Sequence, residues 1–189
     1  MLLFMDPEYR DLRKKLMKQH FWPGRPANYW MARLSKADSY YTYKFLLHLR
    51  TYEMLIKKKT TIPMKLVRFW HLRQYQKYAG MLGYVIGDGV LGEDVIFYHR
   101  GSIIINPAAR IGGGCKFHGD ACIGVARTGE NGCPVLGKRV DIGIGARVLG
   151  DIYIADDIVI GANAVVTKSF YEPGITIAGI PARKVKDAP

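Results

Sequence analysis

Residues 135–166 read VLGKRVDIGIGARVLGDIYIADDIVIGANAVV, and their large aliphatic side chains fall six apart, at Leu136, Ile142, Val148, Ile154, Ile160 and Val166. Four residues after each of the first five stand Val140, Ala146, Ile152, Ile158 and Ala164, so every unit offers one large and one smaller apolar side chain. A period of six fails both the 3.6-residue helical template and the two-residue alternation of an ordinary strand. It suits a short strand followed by a corner. Gly137, Gly143 and Gly161 directly follow the aliphatic residue, and Asp151, Asp157 and Asn163 supply turn-formers. Three such units close one triangular coil, coils stack at the usual strand spacing of about 4.8 Å, and equivalent positions on successive coils become vertical neighbours.

Working outward, the pattern begins earlier at Val85, Leu91, Phe97 and Ile103, slips by two, and resumes at Ile105, Ile111, Phe117 and Ile123. Between the blocks, Val125 to Pro134 breaks the repeat and reads as a projecting loop. Residues 81–189 therefore read as a mainly β domain, a parallel β-helix of hexapeptide repeats. A conventional sheet domain would need regularly spaced turn signals between longer strands, which are missing here.

Residues 1–80 are differently built. They hold 17 Lys and Arg against 5 Asp and Glu, while the rest of the chain holds 11 against 11, so the whole net charge of +12 sits there. Of the 22 aromatic residues 15 precede residue 81, and 19 of the 21 glycines follow it. The segment reads as helix. Asp6 and Pro7 open a helix to His20; a second runs from about Ser35 to Lys59 with Tyr41, Phe45, His48, Tyr52 and Leu55 in one stripe; a third follows Pro63. Trp22-Pro23-Gly24 and Thr60-Thr61-Ile62-Pro63 mark the breaks.

The charge has two readings. Helices packed on a larger domain bury aromatics and leave Lys and Arg in water. A basic aromatic surface with Trp22, Trp30 and Trp70 also suits peripheral contact with an anionic membrane. No nucleic-acid-binding motif accompanies it. No run of about 18 apolar residues and no secretory leader is visible, and Cys115, Cys122 and Cys133 are odd in number without zinc spacing, so a cytoplasmic protein with reduced thiols is expected.

The stretches 105–112 (INPAARIG), 142–150 (IGIGARVLG), 160–166 (IGANAVV) and 178–183 (AGIPAR) resemble the hexapeptide-repeat acyltransferases, in the serine acetyltransferase-like branch that includes capsular and exopolysaccharide O-acetyltransferases. The resemblance covers residues 83 to 186. It implies left-handed coils, against the right-handed rule for ordinary parallel crossovers. It also implies a homotrimer with active sites in clefts between prisms, and acetyl-CoA as the donor, held along the later coils by Ile144, Ala162, Lys168 and Arg183.

Acetyl transfer to a hydroxyl needs a base, and histidine is the natural one near neutral pH. Only His99 and His118 fall in the repeats. His99, in Tyr98-His99-Arg100-Gly101-Ser102, resembles the family's catalytic segment and is the expected base. His118, in Phe117-His118-Gly119-Asp120, is expected almost above it on the next coil, orienting substrate, with Asp120 as a further candidate. Metal is not expected, because a zinc site usually needs three histidines and the repeats hold two.

Serine acetyltransferases carry an aspartate before the catalytic histidine and an Arg-His-Pro on the projecting loop. This chain has Tyr98 and Gly132-Cys133-Pro134 there. The expected acceptor is accordingly a hydroxyl of a sugar or polysaccharide precursor, with Tyr98, Arg127 and Cys133 beside it. Serine O-acetylation stays open, since Arg127 or Glu130 can supply charge, and so does a non-catalytic scaffold.

Overall fold

The computed structural model describes residues 6–21, 26–59, 61–127, 129 and 131–188. The Trp22-Pro23-Gly24 break, Thr60, and Thr128 and Glu130 of the loop lie outside them. The chain divides into two compact units, Met1–Leu82 and Gly83–Pro189.

The first unit holds α1 (Pro7–His20), α2 (Pro26–Leu34), α3 (Asp38–Ile56) and α4 (Ile62–Leu82). Asp6 caps α1, its Oδ1 accepting from the Glu8 and Tyr9 amides at 3.0 and 3.4 Å. The same carboxylate receives the Lys58 ammonium, which holds the acid below its usual range. Asp6→Ala is expected to cost about 1 kcal/mol in thermal unfolding, as N-cap removals do. Asp6→Ser, which keeps the cap, should recover most of it.

The short α2 shows no clear period, and the sequence does not announce it. Tyr29 fixes it by packing edge-on against Phe21 and Tyr43, with centroids 5.4 and 5.8 Å away. The second expected helix is shorter at both ends, Asp38–Ile56. Its stripe widens too: Leu46, Leu47 and Leu49 are buried beside Phe45, His48 and Leu55, because α1, α2 and α4 all pack on α3. A helix apolar all round is a core helix. At the α3–α4 contact His48 and His71 lie buried with Nδ1 atoms 3.1 Å apart.

In the second unit, thirteen short parallel strands of the described residues wind a left-handed β-helix whose three faces are sheets. One face stacks β1 (Tyr84–Ile86), β3 (Ile103–Ile105), β6 (Cys122–Gly124), β9 (Arg147–Leu149) and β12 (Val165–Val166). A second stacks β4 (Arg110–Ile111), β7 (Val135–Leu136) and β10 (Tyr153–Ile154). The third stacks β2 (Ile96–Phe97), β5 (Lys116–Phe117), β8 (Asp141–Ile142), β11 (Val159–Ile160) and β13 (Ile175–Gly179). It ends with β14 (Ala182–Asp187) laid antiparallel on β13.

Every repeat position from Leu136 to Val166 is buried, and the large aliphatics form ladders inside the prism. The earlier block needs correcting. Val85 is 62% exposed while Tyr84 and Ile86 point inward, and Ile86 pairs with Ile105. The slip in the repeat is β3 itself, whose Ile103 and Ile105 both face in with Ile104 out. Asp157 and Asn163 take the left-handed conformation expected at corners, with φ of 59° and 55°, as do Asp94, Asp120 and Arg139. Arg139 grips Asp157 on the next coil through two hydrogen bonds of 2.6 and 2.7 Å.

Candidate functional site

The register of the third face decides which side chains meet. β2 pairs with β5 as Ile96↔Lys116 and Phe97↔Phe117, so Tyr98 stands against His118. The coil from Phe97 to Phe117 is longer than three hexapeptide units, and its surplus lies between Phe97 and Ile105, in the corner that carries His99. His118 therefore lies over Tyr98, and the two rings stack at 4.8 Å and 22°. The expected vertical pair of His99 and His118 does not form. His99 is exposed in the lengthened corner beyond Tyr98, where its carbonyl accepts from the Tyr84 hydroxyl at 2.9 Å.

One coil on, β8 pairs Asp141 with Lys116 and Ile142 with Phe117. Phe117 is fully buried, so the strand's alternation sends Lys116 and His118 outward on either side of it. Asp141 is the diagonal neighbour of His118 and takes its Nε2 at 2.7 Å, with the Lys116 ammonium 4.0 Å from the other oxygen. A carboxylate can only accept, so Nε2 carries a hydrogen, and in the neutral ring the lone pair is therefore on Nδ1. This is the base-plus-orienter arrangement of nucleophile-activating sites. Sequence reading missed Asp141, since a carboxylate so far along the chain from its histidine carries no local signal. The repeat register was the signal that could have found it.

Asp120 is not that partner. Its Oδ1 accepts the Ser102 amide at 2.7 Å and its carbonyl takes the Arg147 guanidinium, so it ties coils together at a left-handed corner.

Continuing the register upward from His118 gives Gly143, then Gly161, then Ala178, and Ala178 pairs with Arg183 of β14. One row thus runs from Tyr98 through His118 and three small residues to the backbone of Arg183, the part above His118 spanning about 19 Å at about 4.8 Å a step. Ile144 and Ala162 flank it, both exposed. The glycines answer first to the fold: a Cβ on Gly143 would come within 2.6 Å of the Ala162 amide nitrogen. The shallow furrow is the by-product.

Lys168, Arg127 and Cys133 stand elsewhere. They belong to the prism edge between the first two faces, where the interruption from Val125 to Pro134 also sits. Lys168 is exposed with its ammonium 5.4 Å over the Phe170 ring, Arg127 is exposed, and Cys133 is buried. Cys115 is buried as well, and desolvation pushes its thiol up to about 11. Among the described residues no group of three or more His, Cys, Asp and Glu gathers to hold a metal.

A Mycobacterium tuberculosis serine acetyltransferase is 37% identical over 97 residues, 51% of this chain and 42% of its own length. A Helicobacter pylori serine acetyltransferase is 37% identical over 105 residues, 55% of this chain and 50% of its own. The repeat architecture is serine acetyltransferase-like. Solved structures agree at the level of fold. The soybean serine acetyltransferase apoenzyme superimposes with a TM-score of 0.71 at 24% identity, covering 95% of this chain and 70% of that one. The Brucella abortus serine acetyltransferase in complex with coenzyme A gives 0.73 at 19% identity, covering 99% and 71%. No family profile matches the chain. The chain spans half or less of the length of these curated relatives.

Proposed function

We propose that this chain is an acetyl-CoA-dependent O-acetyltransferase of the serine acetyltransferase type. The observation that carries the reading is the His118–Asp141 pair at the foot of the Gly143–Gly161–Ala178 row, which ends at Arg183. The row suits an extended pantetheine arm, with Arg183 toward the phosphates and the thioester toward the imidazole. Coenzyme A in the Brucella abortus relative supports the donor. His118 Nδ1 takes the proton of the acceptor hydroxyl as its oxygen attacks the thioester carbonyl. The tetrahedral adduct then expels the thiolate, which takes the proton back from the imidazolium held by Asp141.

Arg127 and Lys168 lie on a different prism edge from His118, so a cleft using both needs a neighbouring copy. That supports a homotrimer, which light scattering on the purified protein tests.

For the acceptor, the curated relatives favour L-serine over the sugar hydroxyl expected from Tyr98 and Cys133 alone. One observation keeps a glycan as the second reading: Tyr98, 43% exposed, presents an aromatic ring beside the base. Thiol release from acetyl-CoA, measured with L-serine and with a panel of sugars and nucleotide sugars, separates the two. Turnover with serine is the expected result. Turnover with a glycan alone establishes the second reading, and none with any hydroxyl acceptor leaves a scaffold.

A further inference from the structure

The first unit carries a surface that the acetyl-transfer reading leaves unused. Along α4, Ile62, Leu66, Phe69 and Trp70 are 78, 67, 61 and 52% exposed, and their spacing of four, three and one places them on a single helical face. Lys65, Arg73 and Lys77 are exposed along the same face. The helix holds four Lys and Arg and no acidic residue, and none occurs anywhere from Met54 to Gly87. Ile56, Lys57 and Lys59, just before α4, are exposed and extend the same composition. Isolated exposed apolar residues are ordinary, but four clustered on one helical face make a contiguous patch.

We infer that this face of α4 docks on an anionic lipid surface, with Leu66, Phe69 and Trp70 seated at the headgroup boundary and Lys65, Arg73 and Lys77 on lipid phosphates. Charge complementarity selects this occupant. A second copy of the same face would set Lys65, Arg73 and Lys77 against their equivalents, and like charges across an interface repel. An anionic bilayer satisfies both halves of the surface, since apolar side chains partition into its boundary while long basic side chains reach its phosphates. No described helix is long and apolar enough to cross a membrane, so the contact lies along the surface.

The test is sedimentation of the full chain with phosphatidylcholine vesicles, with and without phosphatidylglycerol, at low and at high salt. Partitioning about tenfold or more higher on the anionic vesicles, and lost at high salt as screening sets in, is the expected result. Leu66→Ser/Phe69→Ser and, independently, Lys65→Glu/Arg73→Glu should each lower it about tenfold. All four positions are exposed, so the helical circular dichroism should not change. Absence of binding at low salt, equal binding to neutral vesicles, or undiminished binding by either variant overturns the inference. A soluble oligomer that Leu66→Ser/Phe69→Ser dissociates also overturns it, because a second copy then covers the face.

Discussion

Replacing His118 by alanine is expected to lower turnover about 100-fold or more, the usual contribution of a general base, with the fold intact. The side chain projects from the outer face of β5 and fills no core space, whereas its neighbour Phe117 fills the prism and stacks on Phe97 at 5.1 Å. The loss should appear in kcat and kcat/KM together, as for a group that acts in the transition state. Asp141→Asn should cost at least about tenfold, because an amide no longer forces the hydrogen onto Nε2 and frees Nδ1 to stay protonated. His99→Ala should leave turnover within about threefold. Steady-state kinetics on the three variants decides the assignment: a collapse in His99→Ala with near-normal His118→Ala would restore the base expected from sequence alone.

Acid should unfold the first unit before the second. His48 and His71 set their Nδ1 atoms 3.1 Å apart, so one donates and the other accepts, and as neutral rings they are opposite tautomers. Burial pushes His48 down to about 3, with the neighbouring His71 and Lys44 adding to it, and burial pushes His71 down to about 4. Around them lie Trp70, at 5.1 and 4.8 Å, and the Tyr78 ring stacked on His48 at 5.7 Å. Burial lowers His20 as well.

The sign follows from linkage. Below about pH 6.5 the unfolded chain binds protons that the folded pair refuses, so stability present above that pH falls as pH drops toward 4. Each imidazole contributes about 1.4 kcal/mol per pH unit in that window, which for two amounts to several kcal/mol. All three tryptophans lie in this unit, so their fluorescence reports it alone. Denaturant unfolding followed by tryptophan emission between pH 7 and pH 4.5 should show this slope. His48→Gln/His71→Gln, which keeps a donor and an acceptor without a titrating group, should flatten it. Coincident pH dependences would show that the pair does not govern acid stability.

The sequence by itself determined the coil. Six-residue spacing from Leu136 to Val166 is a property of neighbours along the chain, and burial of one large side chain per unit has a single regular solution, so period alone names the β-helix. The helical character of residues 1–80 was legible for the same local reason, in Asp6-Pro7 and in the Phe45–His48–Tyr52 stripe. What only the tertiary structure decided is how far each coil departs from three equal repeats. The coil joining Phe97 to Phe117 is lengthened in the corner that carries His99, and that surplus sets Tyr98, not His99, against His118. Asp141 reaches the imidazole only because the inserted segment 125–134 is absorbed at another prism edge, which leaves β5 and β8 in register. Local pattern encodes which face a side chain takes. Corner length, set by packing between coils, settles which side chains share that face at hydrogen-bonding distance.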